Sequence, residues 1–170
     1  MNARAAGRPW RFALVVLSDK AARGERQDDC LAIMRAGLPA GSDVVAERIL
    51  ADDRPGIEAL LIDLCDKSDV DCVLTSGGTG LGPRDNTPQA TLAVADYEVP
   101  GLAEAMRAAS LGHVRTAMLS RAVAAVRRAT LIVNLPGSPK GTRETLAVIV
   151  DVIPHALALL RGELTEHAPS

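Results

Sequence analysis

Residues Val73–Thr91, VLTSGGTGLGPRDNTPQAT, decide how the rest of the chain is read. A short β-branched run stops at Ser76, four glycines fall within six residues (Gly77, Gly78, Gly80 and Gly82), and Thr87-Pro88 then reads as an N-cap with proline at the first helical position. The order is strand, loop, helix start. Glycines let a backbone turn at positive φ and approach a ligand closely, and a helix N-terminus offers unpaired N–H groups to an anion. The stretch has the properties of a phosphate cradle.

Similar units lie on both sides of it. Phe12–Leu17, FALVVL, is a continuous apolar run that suits an interior parallel strand, and it ends in Ser18, Asp19 and Lys20. Leu31, Ile33, Met34 and Leu38 have helical spacing, and Gly41-Ser42 breaks the chain before a second strand, Val44–Leu50. That strand leads to Asp52-Asp53-Arg54-Pro55, where Asp53 suits an N-cap, and Ile57, Leu60, Leu61 and Leu64 trace the apolar face of the following helix. Cys72–Thr75 is the third strand. Beyond Pro100-Gly101, Leu102–Leu111 is again helically spaced, whereas Met118–Arg128 fits a helix and a short hairpin almost equally. Thr130–Leu135, TLIVNL, is a fourth strand, ending in a polar, glycine-bearing turn through Asn134, Pro136, Gly137, Ser138, Pro139, Lys140 and Gly141. Thr142 is expected to cap a last apolar segment, Leu146–Leu160, which Pro154 should kink or split.

This alternation implies a three-layer α/β/α sandwich around a mostly parallel sheet. Parallel strands put their C-terminal ends on one edge, where open α/β sheets bind ligands. Ser18, Asp52, the glycine loop and the Asn134–Lys140 turn are therefore expected in one pocket. The domain is expected to span residues 11–163, with a disordered tail over 1–10 and a frayed end over 164–170.

Composition narrows the function classes. The 170 residues are 48% hydrophobic but only 2% aromatic, so aliphatic side chains must fill the core and few rings are available to stack on bases. A net charge of −2 provides no global field for nucleic acid or an anionic membrane, so any anion site must be local. Cys30, Cys65 and Cys72 form no CxxC and support neither a disulfide framework nor a zinc site. No apolar run approaches the ~18 residues of a membrane span, and the expected compartment is the cytoplasm.

The loop lacks the Lys-Ser/Thr pair of a Walker A motif and the G-x-G-x-x-G spacing of a dinucleotide fold. What points beyond a plain turn is Asp85, three residues past Gly82. A carboxylate beside phosphates is costly unless a cation neutralises it, and Mg²⁺ commonly bridges one or two carboxylates and phosphate oxygens. Asp52 can supply a second carboxylate, or serve only as a helix cap. Arg84 and Lys140 are the candidate phosphate partners. His113 has no assigned role.

The run SGGTGLGPRDNTPQAT at Ser76–Thr91, with SDK at Ser18–Lys20, LSR at Leu119–Arg121 and NLPGSPK at Asn134–Lys140, resembles the MogA-type molybdopterin adenylyltransferases and gephyrin-type G domains over about residues 11–163. The resemblance implies a usually trimeric MoaB/MogA-like fold that adenylylates molybdopterin with ATP, releases pyrophosphate and hands its product to a MoeA-type molybdate-inserting enzyme. It places Mg²⁺ on Asp52 and Asp85, the nucleotide on Gly77, Gly78, Thr79 and Gly80, and pterin or phosphates near Ser110, Ser120, Asn134, Ser138 and Lys140. The chain departs from the family pattern at Ala51, often proline, and at Lys20, often arginine. A MoaB-like pterin binder without catalysis and a noncatalytic scaffold share the fold; two retained acids argue against a pure scaffold.

Overall fold

The computed structural model describes residues 7–25 and 27–163. Six strands form one sheet in the order β2-β1-β3-β6-β5-β4. They are β1 (Trp10–Leu17), β2 (Ser42–Leu50), β3 (Cys72–Ser76), β4 (Tyr97–Glu98), β5 (Ala124–Arg127) and β6 (Thr130–Leu135). The first four in spatial order run parallel, and β5 is antiparallel to both β6 and β4. Seven helices complete the described chain: α1 (Asp19–Ala22), α2 (Cys30–Ala36), α3 (Arg54–Lys67), α4 (Thr87–Val94), α5 (Pro100–Leu111), α6 (Pro139–Ile149) and α7 (Ile153–Arg161). A 3-10 helix spans Arg115–Leu119.

The apolar strands are covered on both faces, which is why they read as continuous runs. Phe12, Leu14 and Val16 face α2, α5, α6 and α7. Ala13, Val15 and Leu17 face α3 and α4. The result is the expected three-layer sandwich around a mostly parallel sheet.

Several local expectations change. The first strand begins at Trp10, and Arg8 is ion-paired to Asp71, so residues 7–10 belong to the folded unit rather than to a tail. The remainder of the expected tail, 1–6, and the expected frayed end, 164–170, lie outside the described residues. Of the two readings open for Met118–Arg128, the hairpin holds from Ala124, where β5 pairs with β6, while Met118 and Leu119 end the 3-10 helix. Thr87 is not an N-cap: helix α4 is preceded by Asn86, and the Thr87 hydroxyl donates to the Gly77 carbonyl at 2.8 Å. Thr142 is likewise inside α6, whose cap is Ser138, accepting from Gly141 N at 3.1 Å. The chain splits before α7, with Pro154 in that helix's first turn, where a missing N–H costs nothing.

Strand order reverses between β1 and β3. From β1 the chain crosses to β2 on one side and then returns to β3 on the other. Such a reversal leaves a crevice at the C-terminal strand ends. Leu17 aligns with Leu50, Val16 with Ser76, and Ser76 with Leu135, so all four parallel strands end there together.

Candidate active site

The glycine loop leaves β3 inside that crevice. Gly77 has φ +110° and Gly78 φ +64°, a region that disfavours side chains. A Cβ on Gly77 would collide with the Leu17 carbonyl, and one on Gly78 with the Thr87 hydroxyl. The second loop packs directly against the first: a Cβ on Gly137 would lie 3.0 Å from Gly77 Cα, and Ser76 Oγ donates to Pro136 O at 2.9 Å. The two loops expected in one pocket are thus neighbours.

Beside the glycine loop stand carboxylates. Asp19 and Asp52 exchange reciprocal bonds: Asp19 N donates to Asp52 Oδ2 at 3.1 Å, and Asp52 N donates to Asp19 Oδ1 at 3.0 Å. Asp85 is held by Gly82 N, which donates to its Oδ2 at 2.7 Å. Asp52 Oδ1 is buried with no hydrogen-bond partner, 3.2 Å from where a Cβ on Gly78 would stand. Burial pushes the Asp52 carboxyl above its usual range, helped by the charges of Asp19 and Asp85 and opposed by the Asp19 N–H. An orphaned carboxylate oxygen beside two other acids fits a divalent cation. Among the described residues no group of three or more His, Cys, Asp and Glu is arranged to hold a metal unaided, so a cation here would need phosphate oxygens to complete its shell.

Arg84 is not free to meet a phosphate as it stands. Its Nε and Nη2 donate to Asp19 Oδ2 and Oδ1 at 3.0 and 2.8 Å, which holds the Asp19 carboxyl below the usual range. Ser18 caps α1, accepting from Ala21 N at 3.2 Å.

The same loop borders a cavity of about 260 Å³. Thr79, Gly80, Ser110, Ser120, Pro136 and Ser138 line it, so two expected groups of residues from distant parts of the chain meet there. Met106, Ala117 and Leu119 make its wall apolar, and Arg107 and Glu144 bring one charge of each sign. Asn134 does not reach the cavity surface. It is fully buried, and its amide nitrogen donates to Thr75 and Thr91 hydroxyls at 3.0 Å each, so it ties β6 to β3 and α4. Lys140 is exposed and lies 3.8 Å from Glu144, one helical turn on.

Sequence reasoning assigned no role to Arg121. Its backbone N donates to Thr79 O at 2.9 Å, its Nε to Gly80 O at 2.6 Å and its Nη2 to Asp85 O at 2.5 Å. The only signal was its place in the LSR triplet.

A family model described as a probable molybdopterin binding domain matches residues 13–155. The chain belongs to that family. It is 41% identical over 174 aligned residues to the molybdopterin adenylyltransferase of Escherichia coli (strain K12), covering 94% of this chain and 89% of that one. Among solved structures it is similar to the molybdopterin biosynthesis enzyme MoaB of Thermus thermophilus, with TM-score 0.85 and 49% identity over 90% of this chain and 97% of the other. The Mog protein of Mycobacterium ulcerans gives TM-score 0.81 and 42% identity, over 89% and 99%. In this molybdopterin-binding-domain chain, both loops and all the acids described above fall within the matched residues.

Proposed function

We propose that this chain is a molybdopterin adenylyltransferase of molybdenum cofactor biosynthesis. The observation that carries the reading is a single glycine loop in which Thr79 and Gly80 line a cavity of about 260 Å³ while Gly78 stands beside Asp52, and Gly80 and Gly82 beside Asp85. The cavity would take the pterin, and the loop and acids the nucleotide. The terminal phosphate oxygen of molybdopterin attacks the α-phosphorus of ATP, forming a P–O bond as the bond to the bridging oxygen breaks and pyrophosphate leaves. Asp52 and Asp85 would hold Mg²⁺, which when bound offsets the phosphates' negative charge.

The protein's own work is positioning. The attacking phosphate is already ionised at neutral pH, so no general base is needed, and in-line geometry with charge balance carries most of the acceleration. Backbone N–H groups of the glycine loop orient the nucleotide. The Arg84 guanidinium can exchange Asp19 for a phosphate, because both partners present paired oxygens. The same reading takes a homotrimer as the assembly, the cytoplasm as the compartment and a MoeA-type molybdate-inserting enzyme as the recipient. Among the described residues no helix is long and apolar enough to cross a membrane.

The test is incubation with molybdopterin, ATP and Mg²⁺, following adenylylated product by mass spectrometry. Product from the unmodified chain, and none from an Asp85→Ala variant that still binds molybdopterin, is the expected result. An active Asp85→Ala variant contradicts the mechanism, and an unmodified chain that binds molybdopterin without product contradicts the function.

A further inference from the structure

We propose that Arg121 is a positioning residue of the transfer, fixing the Asp85 segment against the wall of the pterin cavity. This rests on the adenylyltransferase reading. Leu119 and Ser120 line the cavity, and the next residue, Arg121, turns away from it toward the glycine loop. Its guanidinium spans the carbonyls of Gly80 and Asp85, while its backbone N–H holds the carbonyl of Thr79. Thr79 and Gly80 are themselves cavity lining. One side chain therefore joins both ends of the Gly80–Asp85 excursion to the segment leading into β5, whose Leu119 and Ser120 line the same cavity.

The geometry favours arginine over lysine. Two carbonyls five residues apart are met by two different nitrogens of one planar group, which a single ammonium on a flexible stem cannot reproduce. Both of these guanidinium bonds end on carbonyl oxygens rather than on a carboxylate, and they are charge-assisted. The excursion it spans is exposed at Leu81, Gly82, Pro83 and Arg84, and the Asp85 carboxylate is held locally by Gly82 N. Arg84 ties the acid-facing part of the same excursion to Asp19 beside Asp52, and Arg121 supplies the anchor at its two ends, next to Asp85 itself. A misplacement of about 1 Å at such a group is worth around 10²-fold in rate.

The experiment measures single-turnover adenylylation, molybdopterin affinity and the Mg²⁺ concentration for half-maximal rate, in Arg121→Ala and Arg121→Lys, below the melting temperature of each. Expected are a turnover loss of roughly 10²-fold in both variants, a rise in the Mg²⁺ requirement, molybdopterin affinity within about threefold, and partial recovery of Arg121→Ala by added guanidinium ion. Turnover within about threefold of the unmodified chain, or a loss that guanidinium does not relieve, or one matched by an equal loss of molybdopterin affinity, overturns the proposal. An unmodified chain that makes no product removes the adenylyltransferase reading and this inference with it, whereas active variants beside an active parent remove only the inference.

Discussion

At Asp52, ionisation works against the fold. One carboxylate oxygen is held by the Asp19 N–H, the other is buried without a partner, and burial with the nearby charges of Asp19 and Asp85 keeps the carboxyl above its usual range. A carboxyl with a raised pKa in the folded state binds its proton more tightly there than in the unfolded chain. Its ionised form therefore opposes folding as pH rises past the unfolded value, and neutral pH lies on the unfavourable side. A neutral amide at this position can still accept from the Asp19 N–H. Asp52→Asn is thus expected to raise the ligand-free melting temperature at pH 7, to abolish the stabilisation given by Mg²⁺ with ATP, and to lower turnover by about 10²-fold or more. Thermal melts with and without Mg²⁺-ATP, alongside product analysis, check all three. A variant that melts lower than the parent contradicts the cost assigned to the buried ionised carboxyl, and one that keeps the Mg²⁺-ATP shift contradicts the assignment of Asp52 to the cation. Asp52 was legible as either a cap or a ligand, and the neighbouring Asp53 turned out to be the cap, accepting from Gly56 N at 2.9 Å.

The glycine loop is an element whose residues are unequal. Gly77 combines φ +110° with a backbone oxygen where its Cβ would stand, and backbone cannot step aside as a flexible side chain can. Gly101, in the first turn of α5, has open space within 4 Å of where a Cβ would stand and no positive φ. Gly77→Ala should destabilise by at least about 1–3 kcal/mol, and Gly101→Ala should stabilise by about 0.5–1 kcal/mol. Urea midpoints for the two variants are expected to move in opposite directions with unchanged slopes. A neutral Gly77→Ala would show that the crevice between β1 and β3 can open without cost. Of the parallel strands, β1, β3 and β6 were legible as apolar runs ended by turn residues, and the edge strand β2, with Asp43, Glu47 and Arg48, from the breaks at Gly41-Ser42 and Asp52-Asp53 that bound it. The β5–β6 hairpin was ambiguous for a physical reason: Ala124, Ala125 and Val126 are all buried, so alternation is lost, and the apolar positions from Met118 onward mimic a helix. Its two-residue turn places Arg128 at φ +54°, where glycine or asparagine would have signalled the hairpin. β4 has two exposed residues and no pattern to read. Asn134 looked like a ligand from its place in the NLPGSPK turn, but a buried amide between two strands and a helix is satisfied internally, and no local pattern announces threonine partners 59 and 43 residues away.

Across the whole molecule, the edge opposite the site is closed by charge rather than left open. Asp71 and Arg161 have side chains only 1% exposed and pair at 2.6 Å. Asp71 also accepts from Arg8 at 2.9 Å and from Arg11 N at 2.9 Å, while the Arg161 guanidinium stacks 4.0 Å from the Trp10 ring centroid and donates to Pro9 O at 3.0 Å. The start of β1, the entry to β3 and the end of α7 are joined there. Partners 90 residues apart leave no trace in sequence spacing, so this clasp was not legible. Burial alone would raise the Asp71 carboxyl, but the Arg161 hydrogen bonds, the Arg11 N–H and the charges of Arg161 and Arg8 outweigh it and hold it below the usual range. A carboxyl depressed in the folded state contributes stability above the unfolded value, about 3.9, and loses it as pH falls through the folded value. Arg161→Ala leaves a buried carboxylate without its main partner and is expected to cost about 3–5 kcal/mol at pH 7. Urea unfolding should show the gap between parent and variant at its full size at neutral pH and narrowing as pH falls through the acid range, because Asp71 takes up its proton at higher pH in the variant than in the parent. Turnover of the variant well below its melting temperature should be unchanged, since the clasp sits at the N-terminal strand ends and the chemistry at the C-terminal ends. A gap that persists undiminished at the lowest pH would mean that the guanidinium acts through its stacking on Trp10 and its bonds to carbonyl oxygens rather than through Asp71.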